Sequence, residues 1–258
     1  MKIALVQMEI LEKNREANLQ HGLELVCQAA VDHDIVVLPE IWTTGYSLGR
    51  LQQEAEVENG FLVTELCHIA LTNHCAMLAG SVPMLRAGKI YNTALAINRQ
   101  GQLVHCYDKA HLFGLFHEED FFAPGNNFST SELEKVCCGS TICYDLRFPE
   151  LYRHLALQGA EIIFCSAEWP EARGDIWRLL IQARAAENHL FMVAVNCAGS
   201  FKKAPFYGHS MVVAPNGKIL AEAGQQEEIL SCELNLAEIA QARARLNALT
   251  DVRKELIQ

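Results

Sequence analysis

The run Ile35–Leu38 is apolar at every position. A strand with one wet face alternates apolar and polar residues, so a run without alternation belongs to a strand buried on both faces of a sheet. Lys2–Met8 and Glu161–Ser166 read as buried strands too. Between the first two, from Asn14 or Arg15 to about Asp32, the pattern is helical, with Leu19, Leu23, Val26 and Ala30 on one face. Trp42 and the Thr43–Tyr46 turn begin an irregular segment that reaches Asn59. Gly60–Asn73 is expected to be helical, with Phe61, Leu62, Leu66, Ile69 and Ala70 apolar, and Cys75–Val82 to be a strand. Ile90–Asn98 and Gln102–Asp108 form two strands joined through Gly101. Arg173–His189 is a long helix with Ile176, Trp177, Leu180 and Ala183 on a face, followed by a strand at Leu190–Val195. Ser200–Tyr207 is a loop. Strands at His209–Ala214 and Lys218–Ala221 flank the turn Pro215-Asn216-Gly217. Ile229–Leu234 is a last strand, and Asn235 with Glu238 forms a capping box at the start of a final helix. Strands alternating with helices and hairpins predict an α/β fold with a mixed sheet. No linker or low-complexity tract divides the chain. One domain over 1–258 is therefore expected, with 235–258 as a C-terminal helix or arm.

The stretch Val136–Gly159 adds a special turn. Its first half is small and β-favouring and ends at Cys143. Its second half opens on Pro149 and Glu150, which suit the first turn of a helix, and Gly159 stands where a helix C-cap belongs. Cys143 thus lies at a strand-to-helix turn, where a nucleophile gains exposure and backbone N–H donors. The plain alternative is a small buried hydrophobe, the commonest use of free cysteine.

Charge and cysteine content narrow the function classes. The formal net charge of −10 argues against nucleic acid and anionic membrane as main partners. The ten cysteines include no CxxC pair. The start MKIALVQM is too short an apolar run for a signal peptide, and no segment approaches transmembrane length. Reduced thiols in a cytoplasmic protein are the expectation.

Three chemistry-bearing residues stand at the ends of apolar strands: Glu40, Lys109 and Cys143. Each alone has a bland reading, a solvated loop residue for the two charged ones. Together a thiol, a carboxylate and an ammonium suffice for acyl transfer. The carboxylate takes the thiol proton, and the ammonium stabilises the oxyanion. Lys109 opens the long loop HLFGLFHEEDFFAPG, whose aromatics and acids suggest a functional loop.

Glu40 in VVLPEIW, Lys109 in YDKAHLF and Cys143 in CYDLRFPEL resemble the Glu-Lys-Cys triad of the nitrilase, or carbon–nitrogen hydrolase, superfamily. The likeness runs through KIALVQM, NTALAIN, AEWP, ARAAENHLFMVAVN and GHSMVVAPNGKIL. It implies a four-layer α–β–β–α sandwich that commonly pairs into dimers, with 235–258 at a dimer contact. It implies thioester chemistry at Cys143 with the Tyr144 backbone N–H in the oxyanion site, and no metal or cofactor. It implies a second glutamate that positions substrate, matched by spacing to Glu118, with Glu119 the adjacent competitor. Trp169 is expected as a pocket wall or as plain core. Tyr46 and Phe116 are pocket candidates. Arg147 either binds a substrate carboxylate or, as the favoured expectation, pairs with Glu150 or Glu187. Asn196 and His209 are given structural roles, and Cys137, Cys138, Cys165 and Cys197 core roles. CYDLRFPEL departs from the CWEN pattern of true nitrilases and lacks the paired arginine context of N-carbamoyl-D-amino-acid hydrolases. It is most similar to the ω-amidases, which hydrolyse the terminal amide of α-keto acids such as 2-oxoglutaramate, and then to deaminated-glutathione amidases. The expected partner is a small-molecule amide, with a homodimer as the assembly. The competing readings are an N-carbamoyl amide hydrolase, a non-catalytic binding module and a papain-like Cys–His hydrolase built on one of the ten histidines.

Overall fold

The computed structural model describes residues 1–253 and 255. Strands β1 (Lys2–Gln7), β2 (Ile35–Val37), β3 (Ala76–Arg86), β4 (Lys89–Ile97) and β5 (Leu103–Asp108) build a first sheet. A second is built from β6 (Ser131–Leu133), β7 (Val136–Ile142), β8 (Ile162–Ser166) and β9 (Phe191–Val195). After a small hairpin of β10 (Ser200–Phe201) and β11 (Ala204–Pro205), the second sheet is completed by β12 (Met211–Val213) and β13 (Ile219–Glu222). The last strand, β14 (Glu228–Glu233), returns to the first sheet beside β1. The orders are β14-β1-β2-β3-β4-β5 and β13-β12-β9-β8-β7-β6, six strands each. The centres, β1-β2-β3 and β7-β8-β9, are parallel and the flanking pairs antiparallel, so both sheets are mixed.

Strand β1 shows why the apolar runs lack alternation. Successive side chains point to opposite faces of a strand. Ile3 and Leu5 enter a core shared with Phe164 and Val193 of the other sheet. Ala4 and Val6 face helices α1 (Arg15–Ala30) and, past the short α2 (Leu51–Glu54), α3 (Phe61–Asn73). On the far side Ile163, Cys165 and Met192 pack under α4 (Pro149–Leu157) and α5 (Gly174–Asn188). The layers are therefore α–β–β–α, the architecture that the family resemblance implies. Each fully buried Leu, Ile or Phe adds about 1.5–3 kcal/mol, so the interior faces dominate the fold's stability.

Some local expectations are corrected. The buried stripe of α1 is Asn18, Gly22, Leu25, Val26, Ala29 and Ala30, so Val26 and Ala30 lie inside as expected while Leu19 and Leu23 stand only at its border. The rotation has a cause: a Cβ on Gly22 would lie 2.4 Å from the Trp42 ring, so this glycine lets the indole lie against the helix backbone. Phe61 of α3 is exposed. On α5 the core face is Trp177, Ile181, Arg184, Ala185 and Asn188, while Ile176 and Leu179 are exposed. The segment between Trp42 and Asn59 holds a 3-10 turn and α2, and β6 and the β10–β11 hairpin lie where no strand was expected. The final helix, α6 (Ala237–Arg245), starts later than expected. Asn235 Oδ1 accepts from the Ala237 N–H at 3.3 Å, and no capping box forms. Residues 254 and 256–258 of the expected C-terminal arm lie outside the described residues. Among the described residues no helix is long and apolar enough to cross a membrane.

Candidate active site

The strand that carries Cys143, β7, ends at Ile142, and the chain turns at once into a 3-10 turn over Cys143–Arg147 before α4. Cys143 has φ +45°, a left-handed conformation that non-glycine residues avoid. Asp145 holds the turn in place. It accepts from the Ile142 N–H at 3.0 Å, the Tyr107 hydroxyl at 2.7 Å and the His111 N–H at 3.0 Å. One carboxylate thus ties the cysteine turn to the strand and loop that carry Lys109. Pro149 stands in the first turn of α4, and Gly159, at φ +101°, follows the helix end.

A second strained residue sits beside Glu40. Ile41 has φ +30°, an outlier for a β-branched side chain. Its N–H donates to Ser81 Oγ at 2.9 Å, and its carbonyl accepts from Thr44 and Gly45 at 2.9 and 2.8 Å. These bonds hold the conformation that turns Glu40 inward. Strain of this kind persists only where the surroundings enforce it, and it clusters at functional sites.

The three strand-end residues meet. Glu40, Lys109 and Glu118 are fully buried, and Cys143 is 6% exposed. Lys109 Nζ donates to Glu40 Oε1 and to Glu118 Oε1, at 2.8 Å each. Glu40 Oε1 also accepts from Asn92 Nδ2 at 2.9 Å, and its Oε2 from the Glu168 backbone N–H at 3.0 Å. Glu118 accepts from the Tyr46 hydroxyl at 2.8 Å and from the Phe113 N–H at 2.9 Å. Glu119 is exposed, so of the two adjacent glutamates only Glu118 belongs to the cluster.

Electrostatics follow from burial and these neighbours. Burial works against the Lys109 ammonium, and Glu40 and Glu118 more than compensate, so its pKa stands above the ordinary lysine value. Burial raises the Glu118 pKa, Lys109 opposes that rise and Glu40 adds to it. Burial pushes the Cys143 thiol well above its usual range, Glu40 raises it further, and Lys109 pulls it down. Burial and Glu40 therefore favour the protonated thiol form of Cys143.

Cys143 opens into a narrow cavity lined also by Tyr46, Phe116, Tyr144, Arg147 and Trp169. Every residue singled out from the sequence as a pocket candidate is there. Trp169 is core as well as wall: its ring is 5.4 Å from that of Trp177, and it carries the Arg147 guanidinium at 5.1 Å. The favoured expectation for Arg147 is corrected. It makes no ion pair with Glu150 or Glu187 among the described residues, and Glu187 is taken by Arg184 at 3.1 Å. Asn196 pins the turn that bears Trp169, accepting from the Trp169 N–H at 2.6 Å and donating to its carbonyl at 3.1 Å. His209 pairs with Glu222 at 3.0 Å.

Sequence reasoning missed five residues of the site: Asn92, Phe113, Asp145, Glu168 and Arg173. Asp145 was within reach, two residues past the cysteine. Glu168 lay in the AEWP segment, next to the residue chosen there. Asn92, Phe113 and Arg173 carry no local signal and come to the site only through the fold.

Comparison with known proteins supplies the context. The family model of the carbon-nitrogen hydrolases matches residues 2–244. A 2-oxoglutaramate amidase of Bacillus subtilis (strain 168) is 37% identical over 254 residues, 98% of either chain. The omega-amidase NIT3 of Saccharomyces cerevisiae is 34% identical over 253 residues, covering 91% of this chain and 87% of that one. The crystal structure of Nit3, described as a member of branch 10 of the nitrilase superfamily, superposes with a TM-score of 0.89 at 33% identity. It covers 95% of this chain and 94% of that one.

Proposed function

The chain belongs to the carbon–nitrogen hydrolase family, and on that premise we propose that it is an ω-amidase, which hydrolyses the terminal amide of a small α-keto acid to carboxylate and ammonia. The observation that carries this reading is a single ammonium, Lys109, held 2.8 Å from two carboxylates beside a thiol that lines a narrow cavity. Cys143 Sγ attacks the amide carbon, and Glu40 takes the thiol proton. An ammonium has three N–H donors. Two are occupied by Glu40 and Glu118, which leaves one for the oxyanion, with the Tyr144 backbone N–H as its partner. Glu40 passes the proton to the departing nitrogen, ammonia leaves and the acyl thioester remains. Water activated by Glu40 then attacks the thioester, and the carboxylic product is released. Each positioned proton transfer is worth about a hundred-fold or more in rate. Glu118, fixed by Tyr46 and Phe113, orients the amide and holds Lys109 in place.

The substrate class rests on two arginines of the same cavity. The guanidiniums of Arg147 and Arg173 line it and have no carboxylate partner among the described residues. Arginine binds carboxylate bidentately, and here Trp169 and Phe113 support the two planes at 5.1 and 5.7 Å. A short chain with an amide at one end and a carboxylate at the other fits that layout. We read the chain as one catalytic domain, cytoplasmic and paired as a homodimer. Ammonia release from 2-oxoglutaramate, 2-oxosuccinamate and deaminated glutathione tests the reading, and release from none of them overturns it. Replacing Arg147 with Met is expected to raise KM for 2-oxoglutaramate about 10- to 100-fold, the worth of a charged hydrogen bond. The same change is expected to shift KM for an uncharged amide such as propionamide far less.

A further inference from the structure

Glu168 ends the second sheet's β8 strand region as a carboxyl group without a partner. Its side chain is 2% exposed, and neither oxygen has a hydrogen-bond partner among the described residues. Its backbone, by contrast, is committed. The Glu168 N–H donates to Glu40 Oε2 at 3.0 Å, and the next N–H, of Trp169, donates to Asn196 Oδ1 at 2.6 Å. A rigid turn therefore presents the side chain to the cavity that it lines with Cys143, Arg147 and Trp169. Buried polar groups in native proteins are satisfied, so an orphan facing a substrate cavity points to a ligand atom.

The charge of its surroundings decides what kind of atom. Lys109 already serves two carboxylates, Glu40 and Glu118. An ionised Glu168 would be a third anion around one ammonium. Burial pushes its carboxyl well above the usual range, Glu40 raises it further, Lys109 opposes and Glu118 adds. The group therefore rests as a neutral acid with one O–H to donate.

We propose that Glu168 is a specificity-determining residue whose carboxylic O–H donates to a carbonyl oxygen on the substrate chain, between the scissile amide at Cys143 and the carboxylate at Arg147. The 2-oxo group of an α-keto acid amide supplies that oxygen. An amino group at the same carbon, protonated, has no lone pair to accept that O–H. Glu168 thus selects keto-acid amides over amino-acid amides. The inference rests on the amidase reading of the same site.

The test compares kcat/KM for 2-oxoglutaramate and for glutaric acid monoamide, which lacks the 2-oxo group, in the native enzyme, Glu168→Gln and Glu168→Leu. For E168L the loss on the 2-oxo substrate is expected to exceed that on the monoamide by about 10- to 100-fold. E168Q, whose amide also donates, is expected to keep most of the discrimination. Equal losses on the two substrates, or an E168Q as indiscriminate as E168L, overturn the proposal while the amidase reading stands. A native enzyme that releases ammonia from neither compound overturns both. A difference infrared spectrum, native minus E168Q, reads the protonation without turnover. A protonated-carboxyl carbonyl stretch supports the proposal, and its absence overturns it.

Discussion

Cys143→Ala is expected to lower kcat for amide hydrolysis by about 10⁵-fold or more, the scale of removing the nucleophile from a covalent hydrolase. The expectation follows from the site's geometry. The thiol stands at φ +45° on a turn locked by Asp145, beside the carboxylate proposed to take its proton and the ammonium proposed to face the oxyanion. A water molecule in place of sulfur inherits the oxyanion donors but not the covalent route. The fold survives the change. Alanine removes one buried sulfur, and a cost of about 1 kcal/mol is typical of such a small truncation. Ammonia release together with a thermal melt checks both halves. A variant that melts normally and still turns over within ten-fold of the native rate would place the nucleophile elsewhere.

Lys109→Met should damage stability and activity together. Methionine fills the space but leaves Glu40 and Glu118 facing each other without the ammonium now 2.8 Å from each. Removing one member of a buried ionic cluster costs about 3–5 kcal/mol, which for a protein of this size lowers Tm by about 10 °C. Losing an oxyanion donor adds about a 10²- to 10³-fold drop in kcat/KM. The stability deficit carries a pH signature. Glu118 is already raised above its ordinary value by burial, Lys109 holds it down, and without Lys109 it titrates higher still in the folded state. A group whose folded pKa is raised stabilises the fold when protonated, so the penalty belongs to the ionised pair. The gap in Tm between native and variant is therefore expected to be wider at pH 8 than at pH 5. A constant gap would show that the carboxylates do not feel one another.

The sequence made the site's strand-end residues legible because each follows an apolar run that must be buried. Ile35–Leu38 could lie only inside a sheet, so Glu40 had to emerge at its end, and the same holds for Cys143 after β7. Glu118 was reached through the resemblance and a spacing, since a run of three acids in a loop looks solvated. Its burial depends on Tyr46, 72 residues away. Glu168 was legible as a residue but not as a part: a glutamate before Trp-Pro says nothing until β8 and β2 are stacked. The helix faces of α1 and α5 were legible in part: Val26, Ala30 and Trp177 lie inside as expected, but Leu19, Leu23 and Ile176 do not, because apolar content was taken for the buried side. In α1 a glycine against Trp42 sets the rotation, and in α5 Arg184 lies inward, donating to the Leu146 carbonyl at 2.9 Å, while Leu179 lies outward. Periodicity gives the helix, and only the neighbouring layer decides which stripe is inside.

The central claim is a covalent acyl group on one sulfur. Acid quenching during steady turnover of 2-oxoglutaramate, followed by proteolysis and peptide mass spectrometry, tests it most directly. One acyl adduct is expected on the peptide that carries Cys143, absent from Cys143→Ala and formed with release of one ammonia. Ammonia released with no adduct on any cysteine, or with the acyl group on a different cysteine, would contradict it.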